Sequence, residues 1–293
     1  INDPENHIIV ITGCDSGFGL MSVYRLLKQG YYMVPLCLTE KGVSELQAYA
    51  KANGFNRCLV MRCDVTKEED VKKVHDKVES LLKSDGKLKL WVVVNNAGIA
   101  PSGVTDWMAV EAFRRTFEVN FFAIVIITKM FLHLLKKTKY SRVINICSMA
   151  GHGAFPGGAA YCGSKHALEG FTKCLRLELI KWNVYMTNIN PGFMKTPFID
   201  IALEAAYRDY EKAPKEITSQ YPKKNIDILH DQIKAVEEDP VKVVDCIVDN
   251  ITYAAPPMNN LPGWQAKAII WIFWLLPGPL KWLYELAAVY GPG

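Results

Sequence analysis

Along this chain, compact apolar runs alternate with stretches in which apolar residues return every three or four positions. The runs fall at 8–12, 32–38, 58–63, 91–95, 142–147 and 185–190, and they lack the alternation of a half-exposed strand. Strands of that kind are buried on both faces, as in parallel sheets. The stretches between them read as helices. In "KEEDVKKVHDKVESLLK", over 67–83, Val71, Val74, Val78, Leu81 and Leu82 share one face. Strict alternation of strand and helix requires right-handed crossovers and predicts an α/β, doubly wound parallel sheet of Rossmann type in a single domain. "YAAPPMNNLPGW" near the end holds too many prolines to be read as a seventh strand.

In such a sheet ligands bind beyond the carboxyl ends of the strands, so the turns there carry the candidate chemistry. The first, "TGCDSGFG", places Gly13, Gly17 and Gly19 in the spacing GxxxGxG. Three glycines in seven residues suggest close approach to the backbone. The amides of the following helix N-terminus then suit a pyrophosphate. Asp64 and Val65 follow the third run, where an acidic side chain can accept from an adenine amino group. "NNAG", Asn95 to Gly98, closes the fourth, Ser148 ends the fifth, and "NPG", with Pro191 and Gly192, ends the sixth. Asn120 lies mid-helix among apolar residues, where a buried amide needs a partner.

Tyr161 and Lys165 stand at i and i+4, so on one helix they share a face. A free phenol titrates near about 10, and lowering it two to three units takes roughly 3 to 4 kcal/mol. One ammonium at about 4 Å and an effective dielectric of about 20 supplies about 4 kcal/mol. Lys165 is therefore expected to make Tyr161 a usable base.

Taken together and in this order, GxxxGxG, NNAG, the helical Asn, Ser, YxxxK and PG resemble the short-chain dehydrogenase/reductase family over roughly residues 7 to 200. "TGCDSGFG", "CLTEKG" and "PGWQAK" are similar to its membrane-associated retinol and hydroxysteroid dehydrogenases. The resemblance implies that Asn120, Ser148, Tyr161 and Lys165 are catalytic, with Asn120 organising a water that relays protons to Lys165. It implies that Gly13, Asp15, Ser16, Gly17, Phe18, Gly19, Asp64, Val65, Asn95, Ala97, Gly98, Pro191, Gly192 and Thr196 join Tyr161 and Lys165 in holding a dinucleotide. Residues 1–200 then form the dinucleotide-binding and catalytic core. Residues 201–293 form the substrate-binding part, with a helical, apolar C-terminal extension serving as membrane contact or lid.

Composition narrows the partners. Of 293 residues, 50% are hydrophobic and the net charge is +4, with no basic block suited to nucleic acid. Eight cysteines lie scattered, mostly in apolar runs, without metal-ligand spacing, so no metal is expected. His152 and His166 read as pocket or surface residues. Asp15 and Glu40 would repel a 2′-phosphate, so NAD is expected over NADP; Lys41 is the one nearby cation that would reverse this. Phe193, Met194, Phe198, Ile199 and Ile201 suit a hydrophobic alcohol, or else belong to the core.

From Ala268, nine consecutive apolar residues make a helix of roughly 14 Å, too short to cross a bilayer but bearing interfacial tryptophans. Pro277, Gly278 and Pro279 interrupt it, and Lys281 is placed for a headgroup. The expectation is NAD-dependent oxidation of a retinoid or hydroxysteroid at a membrane surface, the endoplasmic reticulum before the mitochondrion, with a homodimer as the candidate assembly. A small hydroxy acid such as 3-hydroxybutyrate is the alternative substrate. A dinucleotide-binding scaffold without catalysis is the alternative class.

Overall fold

β1 (His7–Thr12) is buried along its whole length, and its side chains divide by parity between two cores. Ile9 and Ile11 enter one, Ile8 and Val10 the other. The computed structural model describes residues 4–275, and β1 lies at the centre of its sheet. Around it run β2 (Tyr32–Cys37), β3 (Met61–Arg62), β4 (Lys89–Asn95), β5 (Arg142–Ile146), β6 (Tyr185–Ile189) and β7 (Asn259–Asn260). Their order is β3-β2-β1-β4-β5-β6-β7, with every pairing parallel.

The helices cover both faces, as the double burial of the strands requires. α1 (Gly17–Lys28) and α10 (Val241–Thr252) close one core with Val23, Leu26, Val243 and Ile247. α3 (Glu68–Ser84) and α5 (Ala123–Leu135) close the other. On α3, Val71, Val74 and Val78 are buried as the spacing predicts, each contributing roughly 1.5–3 kcal/mol of apolar burial. α4 (Val110–Phe117) runs into α5 through a turn of π-helix, Glu118–Phe122. Among the described residues this run, Val110–Leu135, is the one long and apolar enough to cross a membrane by composition; Ile127, Phe131 and Leu135 place it in the core.

Two boundaries differ from the sequence reading. The run at 58–63 keeps only Met61–Arg62 as strand plus a bridge from Met33 to Cys58, because an edge strand has a partner on one side only. A seventh strand exists after all. It pairs Asn259 and Asn260 with Asn188 and Ile189, and the flanking Pro256, Pro257 and Pro262 hold it to two residues.

After β6 the chain leaves the sheet. α7 (Pro197–Lys212), α8 (Lys215–Thr218) and α9 (Lys224–Ala235) pack Tyr210, Ile217, Tyr221 and Ile226 against Trp107 and Met108. α11 (Trp264–Leu275) begins four residues beyond β7; the expected break at Pro277–Pro279 and Lys281 lie outside the described residues.

Candidate active site

The glycine turn joins β1 to α1. Gly13 and Gly17 hold φ of +70° and +57°, the region glycine occupies without a Cβ penalty. The three glycines have different reasons, which the sequence did not separate. A Cβ on Gly13 would lie 2.9 Å from Ala97 Cα, and one on Gly19 only 2.3 Å from the Gly13 carbonyl oxygen. Those two let the turn pack on the protein itself. Gly17 alone faces room, its nearest neighbour being the Thr196 side chain at 3.8 Å. Ser16 precedes α1 without a side-chain cap, and no acidic residue stands in the first turn. The amides of Gly17, Phe18 and Gly19 are thus left for an anionic ligand at the positive end of the helix dipole. The turn fits a dinucleotide pyrophosphate.

The NNAG turn supports it from the side. Thr12 Oγ1 accepts from the backbone N–H of Asn96 at 3.0 Å and of Ala97 at 2.9 Å. Asn96 Nδ2 donates to the carbonyls of Thr12 and Gly13 at 2.8 and 3.0 Å. The sequence reading chose Asn95, whose amide instead points into the sheet and donates to Asn145 Oδ1 at 2.8 Å. Parity decides this, since neighbours on a strand face opposite ways. Asn96 was visible in the motif but passed over.

At the adenosine end, Asp15 accepts from Leu38 N at 2.7 Å, Thr39 N at 3.0 Å and Thr39 Oγ1 at 2.6 Å. Its carboxylate ties the glycine turn to the loop opening α2 (Glu40–Ala52), and this pulls Leu38 out of the strand. Asp64 Oδ1 is engaged by Thr66 N and Oγ1, while Val65 is core. Lys41 is not the one nearby cation. It is 82% exposed and turned to Glu45 at 3.7 Å, whereas Arg62 reaches Leu38 O at 3.2 Å and Glu40 at 3.4 Å. Only the pairing of β3 with β2 brings Arg62 there.

At the other end stand Ser148, Tyr161, Lys165 and Asn120. Ser148 opens the 3-10 turn Met149–Gly151; its Oγ accepts from Ala150 N at 3.1 Å, and its side chain neighbours the Tyr161 phenol. Tyr161 and Lys165 ride on α6 (Ala159–Leu179), with Lys165 Nζ 5.7 Å from the phenol ring centroid and donating to Ile146 O at 2.8 Å. Asn120 is fully buried in the π-turn. Its Oδ1 accepts from Ile99 N at 2.9 Å, and its Nδ2 donates to Ile99 O at 2.8 Å and Ser164 Oγ at 3.1 Å. Ser164 Oγ in turn donates to Tyr161 O at 2.7 Å, so the amide braces the helix carrying the phenol. A Cβ on Gly98 would sit 3.3 Å from Asn120 Oδ1 and 3.9 Å from Lys165 Nζ, so both flank the end of NNAG.

The electrostatics correct the expected effect of Lys165. Burial pushes the Tyr161 phenol well above its ordinary value, with the Ser148 hydrogen bond pulling back, and burial depresses Lys165. Lys165 Nζ stands 5.7 Å from the centre of the phenol ring, and burial of the phenol opposes its ionisation.

The loop after β6 closes the site. Asn190 Oδ1 accepts from Ser148 N at 3.2 Å and Pro191 O from Met149 N at 2.9 Å, which places Pro191 and Gly192 beside Ser148. The apolar cluster divides three ways. Met194 is core, Ile201 is 58% exposed, and Phe198 lies 6.2 Å from Tyr161 while Phe193 lies 6.5 Å from Phe155. A narrow cavity there is lined by Met149, Ala150, Gly153, Ala154, Phe155 and Ile269. His152 faces neither pocket nor surface: it is buried against Glu169 at 3.3 Å, while His166 is an exposed α6 residue.

A glycine turn fit for a dinucleotide and the group Ser148, Tyr161 and Lys165 sharing one sheet edge belong to a class, the NAD(P)-dependent alcohol oxidoreductases. Within it, the chain belongs to the short chain dehydrogenase family, whose pattern matches residues 7–205. It is 35% identical to human dehydrogenase/reductase SDR family member 9, covering 94% of this chain and 84% of that protein. It is 31% identical to 17-beta-hydroxysteroid dehydrogenase type 6 of Bos taurus, over 91% and 84%, and 31% to retinol dehydrogenase 5 of Mus musculus, over 93% and 90%. A Burkholderia phymatum short chain dehydrogenase in complex with NAD shares the fold at a TM-score of 0.74 and 20% identity, covering 92% of each chain. One from Burkholderia cenocepacia in complex with NADP does so at 0.70 and 20%, covering 98% and 99%.

Proposed function

We propose that this chain oxidises a hydroxyl on a lipophilic alcohol, a retinoid or hydroxysteroid, with NAD. The observation that carries the reading is the grouping of Ser148 with Tyr161 and Lys165, the phenol neighbouring the Ser148 side chain and one helical turn from Lys165, beside an apolar wall of Phe155, Phe193, Phe198 and Ile269. Ser148 Oγ holds the substrate oxygen, and Tyr161 Oη takes its proton as the C–H electron pair departs as hydride. The bound dinucleotide supplies the hydride acceptor and, in its oxidised ring, a positive charge. Lys165 would hold the ribose hydroxyls of the dinucleotide and its positive charge would steady the phenolate form of Tyr161 that takes the proton, and Asn120 keeps α6 in register. The spacious side of Gly17, with Thr196 opposite, holds the pyrophosphate.

NAD is favoured because Asp15 and Glu40 place two carboxylates where a 2′-phosphate would lie and Glu40 pairs with Arg62. Trp264, Trp271 and Leu275 are exposed on α11 at 62%, 52% and 69%. Such a face suits a membrane interface, that of the endoplasmic reticulum in the subgroup this chain resembles. A panel of retinol, hydroxysteroids, 3-hydroxybutyrate and short alcohols, followed by NADH absorbance, tests the reading. A retinoid or steroid should exceed the hydroxy acid by about 100-fold in kcat/KM, since burying several more methylenes at about 0.8 kcal/mol each gives that much. Preference for the hydroxy acid overturns the substrate class. Dinucleotide binding without turnover of any alcohol makes the chain a scaffold.

A further inference from the structure

The segment "PGWQAK" takes no part in the chemistry above, yet two of its residues reach the site's edge. Gln265 is a polar side chain near the start of an apolar helix, and it is only 4% exposed. Its Oε1 accepts from Phe193 N at 3.1 Å, and its Nε2 donates to Val236 O. Gly192 is packed beneath it: a Cβ there would lie 2.9 Å from Gln265 Cβ and 3.0 Å from Oε1. Glu238, 7% exposed, accepts from the backbone N–H of Trp264 at 3.2 Å and of Gln265 at 3.3 Å, capping α11. Its own backbone pairs with the loop after β6, Glu238 N donating to Phe193 O and Lys195 N to Glu238 O, both at 2.9 Å.

Burial opposes the Glu238 charge, but Lys242 at 2.7 Å and the two amides more than offset it, holding the carboxyl below its usual range. Gly263, at φ +86°, is the hinge that lets α11 start there, since a Cβ would meet Glu238 Oε1 at 2.3 Å. Three segments distant in sequence, 191–195, 236–238 and 263–265, thereby meet in one buried polar knot.

We infer that Glu238 and Gln265 form a latch by which α11 holds the Pro191–Gly192–Phe193 loop at the reactive end of the dinucleotide site, making Gln265 a positioning residue for the cofactor. This rests on the dinucleotide reading of the site. The reactive ring must reach Ser148 and Tyr161, and the loop bonded to the Ser148 turn is the element that flanks it. Losing the amide leaves Phe193 N–H without its acceptor and frees Gly192 to move by the width of the vacated contact. The exposed tryptophans on the far side of α11 are thus connected, through one buried side chain, to the wall of the cofactor site.

The test replaces Gln265 by Met, which keeps its length and packing, and Glu238 by Gln, which keeps its shape, with Lys224→Ala, an exposed side chain on α9, as a surface control. NADH affinity is read by the cofactor's fluorescence, and exchange of the Phe193 amide by hydrogen–deuterium mass spectrometry. Gln265→Met should weaken NADH about tenfold, roughly 1.4 kcal/mol, raise KM for NAD with kcat held at saturating cofactor, and speed exchange at 192–195. Glu238→Gln should show a smaller change of the same sign, and Lys224→Ala none. Wild-type affinity and exchange in Gln265→Met overturn the latch alone. Failure of the unaltered protein to bind NADH or NADPH overturns the functional reading and the latch with it.

Discussion

Adding a single methyl at Gly19 separates the two kinds of glycine in the turn. The Cβ of Gly19→Ala would lie 2.3 Å from the Gly13 carbonyl oxygen, 3.0 Å from its carbon and 2.7 Å from Asn96 Nδ2. Two of these atoms are backbone, so relief requires the turn itself to move. Overpacking of that kind costs about 1–3 kcal/mol. The shift also strains the two hydrogen bonds from Asn96 Nδ2, each worth about 0.5–1.5 kcal/mol. The expected loss is about 2–6 kcal/mol, a fall in melting temperature of about 4–12 °C at about 2 °C per kcal/mol for a chain of this size. Gly17→Ala is the contrast. Its φ of +57° costs a side chain about 1–2 kcal/mol, but nothing lies closer than 3.8 Å, so its melting temperature falls less. Its methyl enters the ligand's space, so its NADH affinity falls at least as far as that of Gly19→Ala. Thermal melts followed by circular dichroism and NADH titration of both variants decide the matter. A Gly19→Ala protein that melts within about 1 °C of the parent, or above Gly17→Ala, refutes the packing argument.

Tyr161→Phe should lower kcat by about 1,000-fold with an unchanged far-ultraviolet spectrum, since general base catalysis supplies about 10²–10⁴. Because burial raises the Tyr161 phenol, its anion gains as pH rises, so kcat/KM for oxidation should climb toward alkaline pH and carbonyl reduction should decline there. A flat oxidation profile would remove the phenol from the base role. NAD should exceed NADP by at least about tenfold, or about 1.4 kcal/mol. Glu40→Gln should narrow that gap by releasing Arg62, and Arg62→Ala on that background should restore it; kinetics with both cofactors check this, and an NADP preference in the parent contradicts the charge argument. Arg142 is fully buried, donates to the carbonyls of Asn250, Tyr253 and Tyr140 at 2.7–2.9 Å, stacks on Trp91 at 4.4 Å, and is drawn down to about 10 by burial. Arg142→Met should cost about 4–9 kcal/mol in urea unfolding, three charged bonds being worth about 1.5–3 each; a change below about 1 kcal/mol would show that water replaces the guanidinium.

The central strands and the apolar face of α3 were legible in the chain because they follow from local periodicity. The order of Gly13, Asn120, Ser148, Tyr161 and Lys165 was equally legible, and the fold brings the last four together. Local pattern stops where contacts between distant segments begin. Nothing in "EVNFF" announces a π-turn, and whether Asn95 or Asn96 meets the glycine turn depends on the exact residue at which β4 ends. Arg62 becomes a neighbour of Glu40 only through strand pairing, and Gln265 reaches Phe193 only because β7 and Gly263 aim α11 at the loop after β6. The sign of the Tyr161 shift is the clearest case. Spacing supplied the ammonium but not the desolvation around the phenol, which is a property of everything packed against it. Sequence thus determined which groups stand on one sheet edge, and tertiary packing decided what each one touches, because hydrogen bonding and burial depend on neighbours remote along the chain.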